Sequence, residues 1–307
     1  MKKIKEAEDN NKLNRIGKTS NTIFNVIFIV LALVCIIPVI FVFMISISSE
    51  ASLTKFGYQM IPKEFSMESY LFLWREKETI LKALLVSVGV TGGGTLLGVA
   101  LTTTMGYVLS RPGYKLNGFL TWIVFIPMIF NGGMIASYVV NTNLLGLKNS
   151  VWALILPLAV SSFNVIICKT FFRTTIPDSI VESAKIDGAA QLSIFARIVL
   201  PISKPVIATI SLFLCFSYWN DWFQSSLYIN NANLISLQAL LNNIQKNIQY
   251  LASNPTAGLS LQQYKNLMPQ EGARMAIAIV IVLPIACAYP FFQKYFISGL
   301  TIGAIKG

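Results

Sequence analysis

Apolar residues in this chain come in long blocks rather than in the 3.6-residue rhythm of a helix that is wet on one face. Six blocks, residues 22–47, 83–110, 116–140, 151–172, 205–228 and 275–297, reach the roughly 20 apolar residues that a helix needs to cross a bilayer. The pattern predicts an all-α fold, a polytopic membrane protein with six transmembrane helices. The first block is well beyond the roughly 7–15 residues of a signal-peptide core and no small-residue cleavage site follows promptly, so a retained span is expected. Residues 1–21 then form a cytoplasmic tail and residues 22–307 one transmembrane domain.

The second block is the least hydropathic. It carries Thr91, Gly92, Gly93, Gly94, Gly98, Thr102, Thr103 and Thr104. Gly94 and Gly98 form a small-xxx-small pair that lets another helix approach closely, which predicts a place inside the bundle. Pro127 and Pro157 are expected to kink the third and fourth spans. Two connections are long enough to fold. Residues 48–82 hold Tyr70, Leu71, Phe72 and Trp74, which predict a short interfacial helix, and residues 229–274, rich in Asn and Gln, predict a helix near Leu237–Gln249. The chain has no internal repeat and no low-complexity tract.

Composition agrees with a lipid solvent: 12% of residues are charged, about half the usual soluble share. Of the 24 Lys and Arg residues, fifteen fall in the tail, in the second and fourth connections and around the last span, and nine fall in the longer odd-numbered connections. By the positive-inside rule both termini are cytoplasmic, in a multi-pass protein of the cytoplasmic membrane. The formal net charge of +11 is partly juxtamembrane, and no basic stripe carries interleaved aromatics, so nucleic acid is not the expected partner. Cys35, Cys168, Cys215 and Cys287 all lie in apolar runs and read as small buried hydrophobes without disulfides. Histidine is absent, which removes the commonest general base and metal ligand.

The fourth connection, residues 173–204, carries the most information. Thr175 with Asp178 reads as a capping-box-like helix start, with Pro177 near the first turn. Ile180, Val181 and Ala184 share a face, and Gly188 is placed to end the helix in a left-handed conformation. A second short helix is expected to carry Leu192, Phe195 and Val199 on one stripe until Pro201 stops it. Read together, Glu182, Ala184, Asp187, Gly188, Ala189, Phe195, Ile198, Leu200, Pro201 and Pro205 resemble the cytoplasmic motif of ABC importer permeases in its sugar-importer form, with Ser183 as a mild departure. Lys169–Asp178, the run Tyr218–Trp222 and the ending Phe292–Gly307 are also similar to that branch, so the resemblance covers essentially the whole chain. The family is that of binding-protein-dependent carbohydrate importers, as a maltose-type second permease. The Asn/Gln-rich fifth connection points to the complex-oligosaccharide branch.

The resemblance implies that spans two to six form the transporter core and that the fourth connection seats in a groove of the ATPase. Its coupling residues would be Glu182, Ala184, Lys185, Asp187, Gly188, Phe195, Arg197, Leu200 and Pro201. It implies a second homologous permease, an ATPase dimer, an extracellular solute-binding protein and a sugar substrate. The chain itself is expected to hold no cofactor and no metal and to be no enzyme, with ATP and Mg in the partner ATPase. Gly17-Lys18-Thr19-Ser20 imitates a phosphate-binding loop, but position 12 is Lys12 where a glycine is needed and no strand precedes it.

Candidates for the substrate pathway or for contact with the binding protein are Asn131, Asn164, Trp219, Asn220, Asp221 and Trp222. Buried amides serve equally as interhelical glue, and Trp residues near a span end equally anchor at the interface. Another cargo, such as an amino acid or peptide, would use the same architecture. An ion-coupled secondary transporter would place ionisable residues at the span centres, which lack them. A membrane enzyme would need a catalytic constellation that the sequence does not offer.

Overall fold

The computed structural model describes residues 17–253 and 270–304. The tail cations up to Arg15, together with Lys265, Lys306 and the middle of the fifth connection, lie outside the described residues. Among the described residues there is no strand beyond a single antiparallel bridge between Ser48 and Phe65. Everything else regular is helix, in two compact units.

The first unit comprises the described residues up to Phe72 and the start of the last helix up to Ile279. Helix α1 (Lys18–Ser46) is apolar around nearly its whole circumference and exposes residues of every face, Phe28, Ile29, Val34 and Ile36 among them. A helix that is hydrophobic all round and covered by no protein is one that lipid covers. It ends where Ser46 and Ser48 turn their hydroxyls back onto the carbonyls of Phe43 and Met44. Helix α2 (Glu50–Phe56) starts with Ser49 accepting from the Ser52 amide and stops at Gly57, which has φ 70°. Helix α3 (Glu68–Arg75) follows at the predicted place.

The second unit is built around α4 (Lys77–Ser110), 34 residues and about 51 Å long at the helical rise. Around it lie α5 (Asn117–Ile129), α6 (Gly133–Val139), α7 (Trp152–Ala159), α8 (Ser162–Thr175), α9 (Asp178–Ile186), α10 (Gln191–Ile202), α11 (Lys204–Trp219), α12 (Phe223–Tyr228) and α13 (Leu237–Ser253). The final helix, α14, spans Gln270–Ala304. The helix expected near Leu237–Gln249 is α13.

The glycines of α4 explain why it is central. A Cβ on Gly94 would strike the Tyr218 ring of α11. One on Gly98 would lie 2.7 Å from the Ala159 carbonyl oxygen of α7, and one on Gly106 2.5 Å from Cβ of Cys168 on α8. The pair read as a close-approach motif is one, and Gly106 extends it by two turns.

Several predicted spans are broken rather than kinked. The third stops at Ile129 and resumes at Gly133, because Gly133 takes φ 83° and donates its amide to Asn131 Oδ1 at 2.9 Å. The fourth bends by 47° between α7 and α8, where Val160 and Ser161 are extended. Pro127 and Pro157 each sit two residues before such an end. The fifth stops at Trp219 and resumes at Phe223. Among the described residues two helices, Thr19–Ser46 and Lys77–Ser110, are each long and apolar enough to cross a membrane alone, and the bent pairs α7–α8 and α10–α11 meet the same test together. The cysteines are all free, but only Cys168 is buried; Cys35 and Cys287 are exposed, because the helices that carry them turn apolar faces outward.

Candidate functional site: the α9–α10 helix pair and the cavities of the bundle

Helix α9 begins after Pro177, with Asp178 in its first turn. The expected Thr175 cap does not form: Thr175 is the last residue of α8, and Pro177 occupies the cap position with no side-chain cap bond. The end of α9 is built as predicted. Gly188 has φ 81°; its amide donates to the Lys185 carbonyl and the Ala189 amide to the Ala184 carbonyl, both at 3.0 Å. That bond pair is a Schellman closure, which needs the left-handed conformation at the glycine.

Val181 and Ala184 turn inward, whereas Ile180, Glu182, Lys185, Ile186 and Asp187 are exposed. In α10 a π-helical turn over Phe195–Val199 shifts the register. The buried stripe is therefore Ile194, Phe195, Ile198 and Val199, and Leu192 is 77% exposed rather than on it. Pro201 does not stop the helix either; the chain breaks two residues on, at Ser203, and enters α11 at an angle of 84°. Arg197 is exposed, and Leu200 is half-buried. Phe195 lies 5.1 Å from the Tyr107 ring of α4, centroid to centroid. The pair thus buries one face on the bundle and leaves Glu182, Lys185, Ile186, Asp187, Leu192 and Arg197 on the other.

A residue that the sequence reading counted only as a topology charge joins this site. Arg111, at the end of α4, pairs with Asp178 at 2.9 Å and donates to the Phe172 carbonyl at 3.2 Å. Nothing in the local sequence pairs position 111 with position 178, 67 residues on, so only the fold could bring them together.

Open cavities lie at the helix breaks among the described residues. One, of about 700 Å³, opens at the α7–α8 break and is lined by Pro127, Pro157, Ser161, Ser162, Asn164 and Ser217 among others. The second, of about 570 Å³, is lined by Asn131, Ser137, Asn141, Gln224 and Tyr228, and shares Pro157 with the first. No Asp, Glu, Lys or Arg lines either. Asn164 is inside a helix and 5% exposed; Asn131 is not in a helix but in the α5–α6 break. The Trp219–Trp222 run lines neither cavity. Trp219 Nε1 donates to the Ile281 carbonyl, Asn220 to the Phe216 carbonyl, and Asp221 accepts from the Gln224 amide at the start of α12. Trp222 lies beneath the Lys246 ammonium, 5.2 Å from the ring centroid. Among the described residues no cluster of His, Cys, Asp and Glu could hold a metal ion.

An all-helical bundle with a glycine-elbowed helix pair at one end and uncharged cavities inside defines a membrane permease. The comparisons give the family: residues 94–302 match the binding-protein-dependent transport system inner membrane component, and the chain belongs to that family. It is 38% identical over 274 residues to Protein LplC of Bacillus subtilis (strain 168), covering 89% of this chain and 90% of that one. It is 40% identical over 276 residues to the polygalacturonan/rhamnogalacturonan transport system permease protein YtcP of the same organism, covering 90% and 94%. Among solved structures, a chain of a bacterial ABC transporter involved in the import of the acidic polysaccharide alginate superposes with a TM-score of 0.75 at 27% identity, covering 92% of this chain and all of that one. The chain is therefore a multi-pass membrane component of a transport system, similar throughout its length to sugar permeases.

Proposed function

We propose that this chain is one of two permease subunits of an ATP-driven importer for an oligosaccharide delivered by an extracellular binding protein. The observation that carries the reading is the α9–α10 pair, which buries Val181, Ala184, Ile194 and Val199 against the bundle and leaves charged and apolar side chains outward around the Gly188 elbow. That outward surface is the seat for an ATPase subunit, with Glu182, Lys185, Asp187 and Arg197 as anchors and Phe195, Leu200 and Pro201 holding the pair to the bundle. ATP and Mg are bound by the ATPase pair. The second permease is similar but not identical, and six spans here, both termini cytoplasmic, face its six or so across the pathway.

Sugar is favoured over amino acid or peptide cargo by the cavity lining. Hydroxyls and amides such as Ser161, Ser162, Asn164 and Asn141 can exchange hydrogen bonds with sugar hydroxyls. A zwitterion in the same place would leave its charges unpaired, which is costly away from water.

The test is reconstitution in vesicles with both permeases, the ATPase pair and the binding protein. Uptake of labelled oligosaccharide is expected only when all are present with ATP. ATP turnover by the isolated chain, or uptake driven by an ion gradient without ATP, overturns the reading. For orientation, a single cysteine at Gln191 in a cysteine-free background should be protected from an impermeant thiol reagent in intact cells, and one at Asn233 should react.

A further inference from the structure

We infer that Arg111 is the positioning residue that carries movement of the cytoplasmic helix pair into α4, the central helix of the bundle; the inference rests on the importer reading above. The guanidinium serves three elements at once. Nη1 donates to Asp178 Oδ1 at 2.9 Å in the first turn of α9, Nη2 to the Phe172 carbonyl at 3.2 Å in the last turns of α8, and Nε to Ser110 Oγ at 3.1 Å in α4 itself. Its plane lies 5.2 Å from the ring of Tyr107, one turn earlier. Tyr107 in turn packs on Phe195 of α10 at 5.1 Å and edge-on to Phe172 at 6.2 Å. The last turn of α4 therefore grips α9 through a polar fork and α10 through an aromatic contact. The backbone beneath Arg111 is fixed as well, since Asn117 Nδ2 donates to the carbonyls of Leu109 and Arg111.

Energy alone gives this pair little purpose. Arg111 is 15% exposed but Asp178 is 58% exposed, and so open an ion pair adds little to stability. Direction is what a forked guanidinium supplies: five donors in a fixed plane, satisfied by acceptors on separate elements, hold those elements at one angle. A lysine, as a point charge on a flexible stem, would keep the attraction and lose the angle. Around this grip lies a cavity of about 480 Å³ lined by Tyr107, Arg111, Gly113, Asp178, Glu182 and Lys185. Across this cavity Arg111 and Tyr107 reach from the end of α4 to the helix pair.

The experiment uses the full complex in vesicles and reads sugar delivered per ATP hydrolysed, with co-purified ATPase measured alongside. Asp178→Ala and Arg111→Lys should each retain the ATPase subunits yet deliver at least about fivefold less sugar per ATP, the lower bound of ordinary coupling between sites. Asp178→Glu, which keeps an acceptor within reach, should recover most of the ratio. Wild-type sugar-to-ATP ratios in both variants overturn the inference, and so does loss of the ATPase from the complex, which would make Asp178 part of the docking face. A second measurement holds even where a variant transports nothing. Spin labels at Gly113 and Lys185, across the cavity, should give a narrow distance distribution that broadens in Arg111→Gln, and an unchanged distribution overturns the inference. Failure of the importer reading itself is distinct, because the wild-type complex would then show no ATP-dependent uptake at all.

Discussion

Helices α1 and α4 are both long enough to cross a bilayer, and they are built on opposite plans. No residue in the apolar stretch of α1 is buried; the stretch of α4 is less apolar, and 28% of it is buried. Hydropathy measures affinity for lipid, so it singles out the helix whose apolar side chains are exposed on every face. Packing without water has to come from close fit, which small residues permit and large ones forbid. Helix α4 gives up hydropathy for glycines at 94, 98 and 106, and each is met by a neighbouring helix. The helix that is the weaker membrane signal is the one on which α7, α8 and α11 are assembled.

The comparison breaks first at Gly106. An added Cβ lies 2.5 Å from Cβ of Cys168 and 3.1 Å from the Lys169 amide nitrogen, so Gly106→Leu has to push α8 away. The cost should reach or exceed the top of the usual overpacking range, about 3 kcal/mol. Little folded protein should reach the membrane, whereas Phe28→Ala on α1, 65% exposed, should leave the amount and the melting temperature near wild type. Equal melting of the two variants would remove the distinction between the helices.

A finer test lies within α4. At Gly98 the obstacle is a backbone oxygen, that of Ala159, at 2.7 Å, with Leu214 Cδ1 at 2.8 Å; backbone cannot swing aside as a side chain can. Gly98→Ala should destabilise by about 1–3 kcal/mol. At Gly93 the closest atom to an added Cβ is Ile155 Cδ1 at 3.9 Å, ordinary contact. There alanine brings only its helix propensity, so Gly93→Ala should be neutral or stabilise by up to about 1 kcal/mol. Thermal melts of the two variants in detergent, on purified protein, decide the matter by sign.

Gly188 sharpens the comparison from another side, because no atom lies within 4 Å of an added Cβ and only φ, at 81°, requires glycine. Gly188→Ala should cost on the order of 1–2 kcal/mol locally, while Gly188→Asn, which tolerates the left-handed region, should cost less. The global melt should move little in either, and ATPase co-purification and uptake should fall in Ala more than in Asn. The opposite order would mean that the elbow is not what α9 and α10 need.

What could be read in the sequence follows the range of the physics. The Gly188 elbow, the α13 helix and the Gly94–Gly98 approach depend on residues a few positions apart, and all three are present. On α10 the expected stripe holds at Phe195 and Val199 and fails at Leu192, which is exposed, and no composition rule marks the π turn at Phe195–Val199. Thr175 fails as a cap for a related reason: α8 continues through it and leaves it helical. The break at Asn131–Gly133 falls on a Gly-Gly pair, a local signal that the hydropathy of the whole block does not register. Arg111 could not be found at all, since its partners come from α8 and α9.

The smallest expected effect concerns the C-terminal end of α1, where polar contacts tie the following segment down. Ser46 Oγ lies 2.8 Å from the Tyr70 hydroxyl. Beyond it, Glu50 accepts from the amides of Glu271 and Gly272, and Tyr58 donates to Glu271 Oε2 at 2.7 Å. Arg274 holds the other oxygen of Glu271 at 2.8 Å. Because Tyr58 is half-exposed and Glu271 keeps Arg274, Tyr58→Phe should destabilise only at the low end for a hydrogen bond, about 0.5 kcal/mol. The hydrogen bond to Glu271, followed by burial and by the Glu271 charge, raises the Tyr58 pKa above its ordinary value. A raised folded-state pKa means that the contribution is fully present below the unfolded phenol's value, about 10, and is lost as pH rises through the folded value. The melting difference between wild type and Tyr58→Phe should therefore be constant through neutral and mildly alkaline pH and should close above it. Tyrosinate absorbance should show one phenol fewer titrating late in the variant. A difference that persists at alkaline pH would mean that Tyr58 acts by packing alone, and the tie between the segment after α1 and the start of α14 would then rest on Glu50.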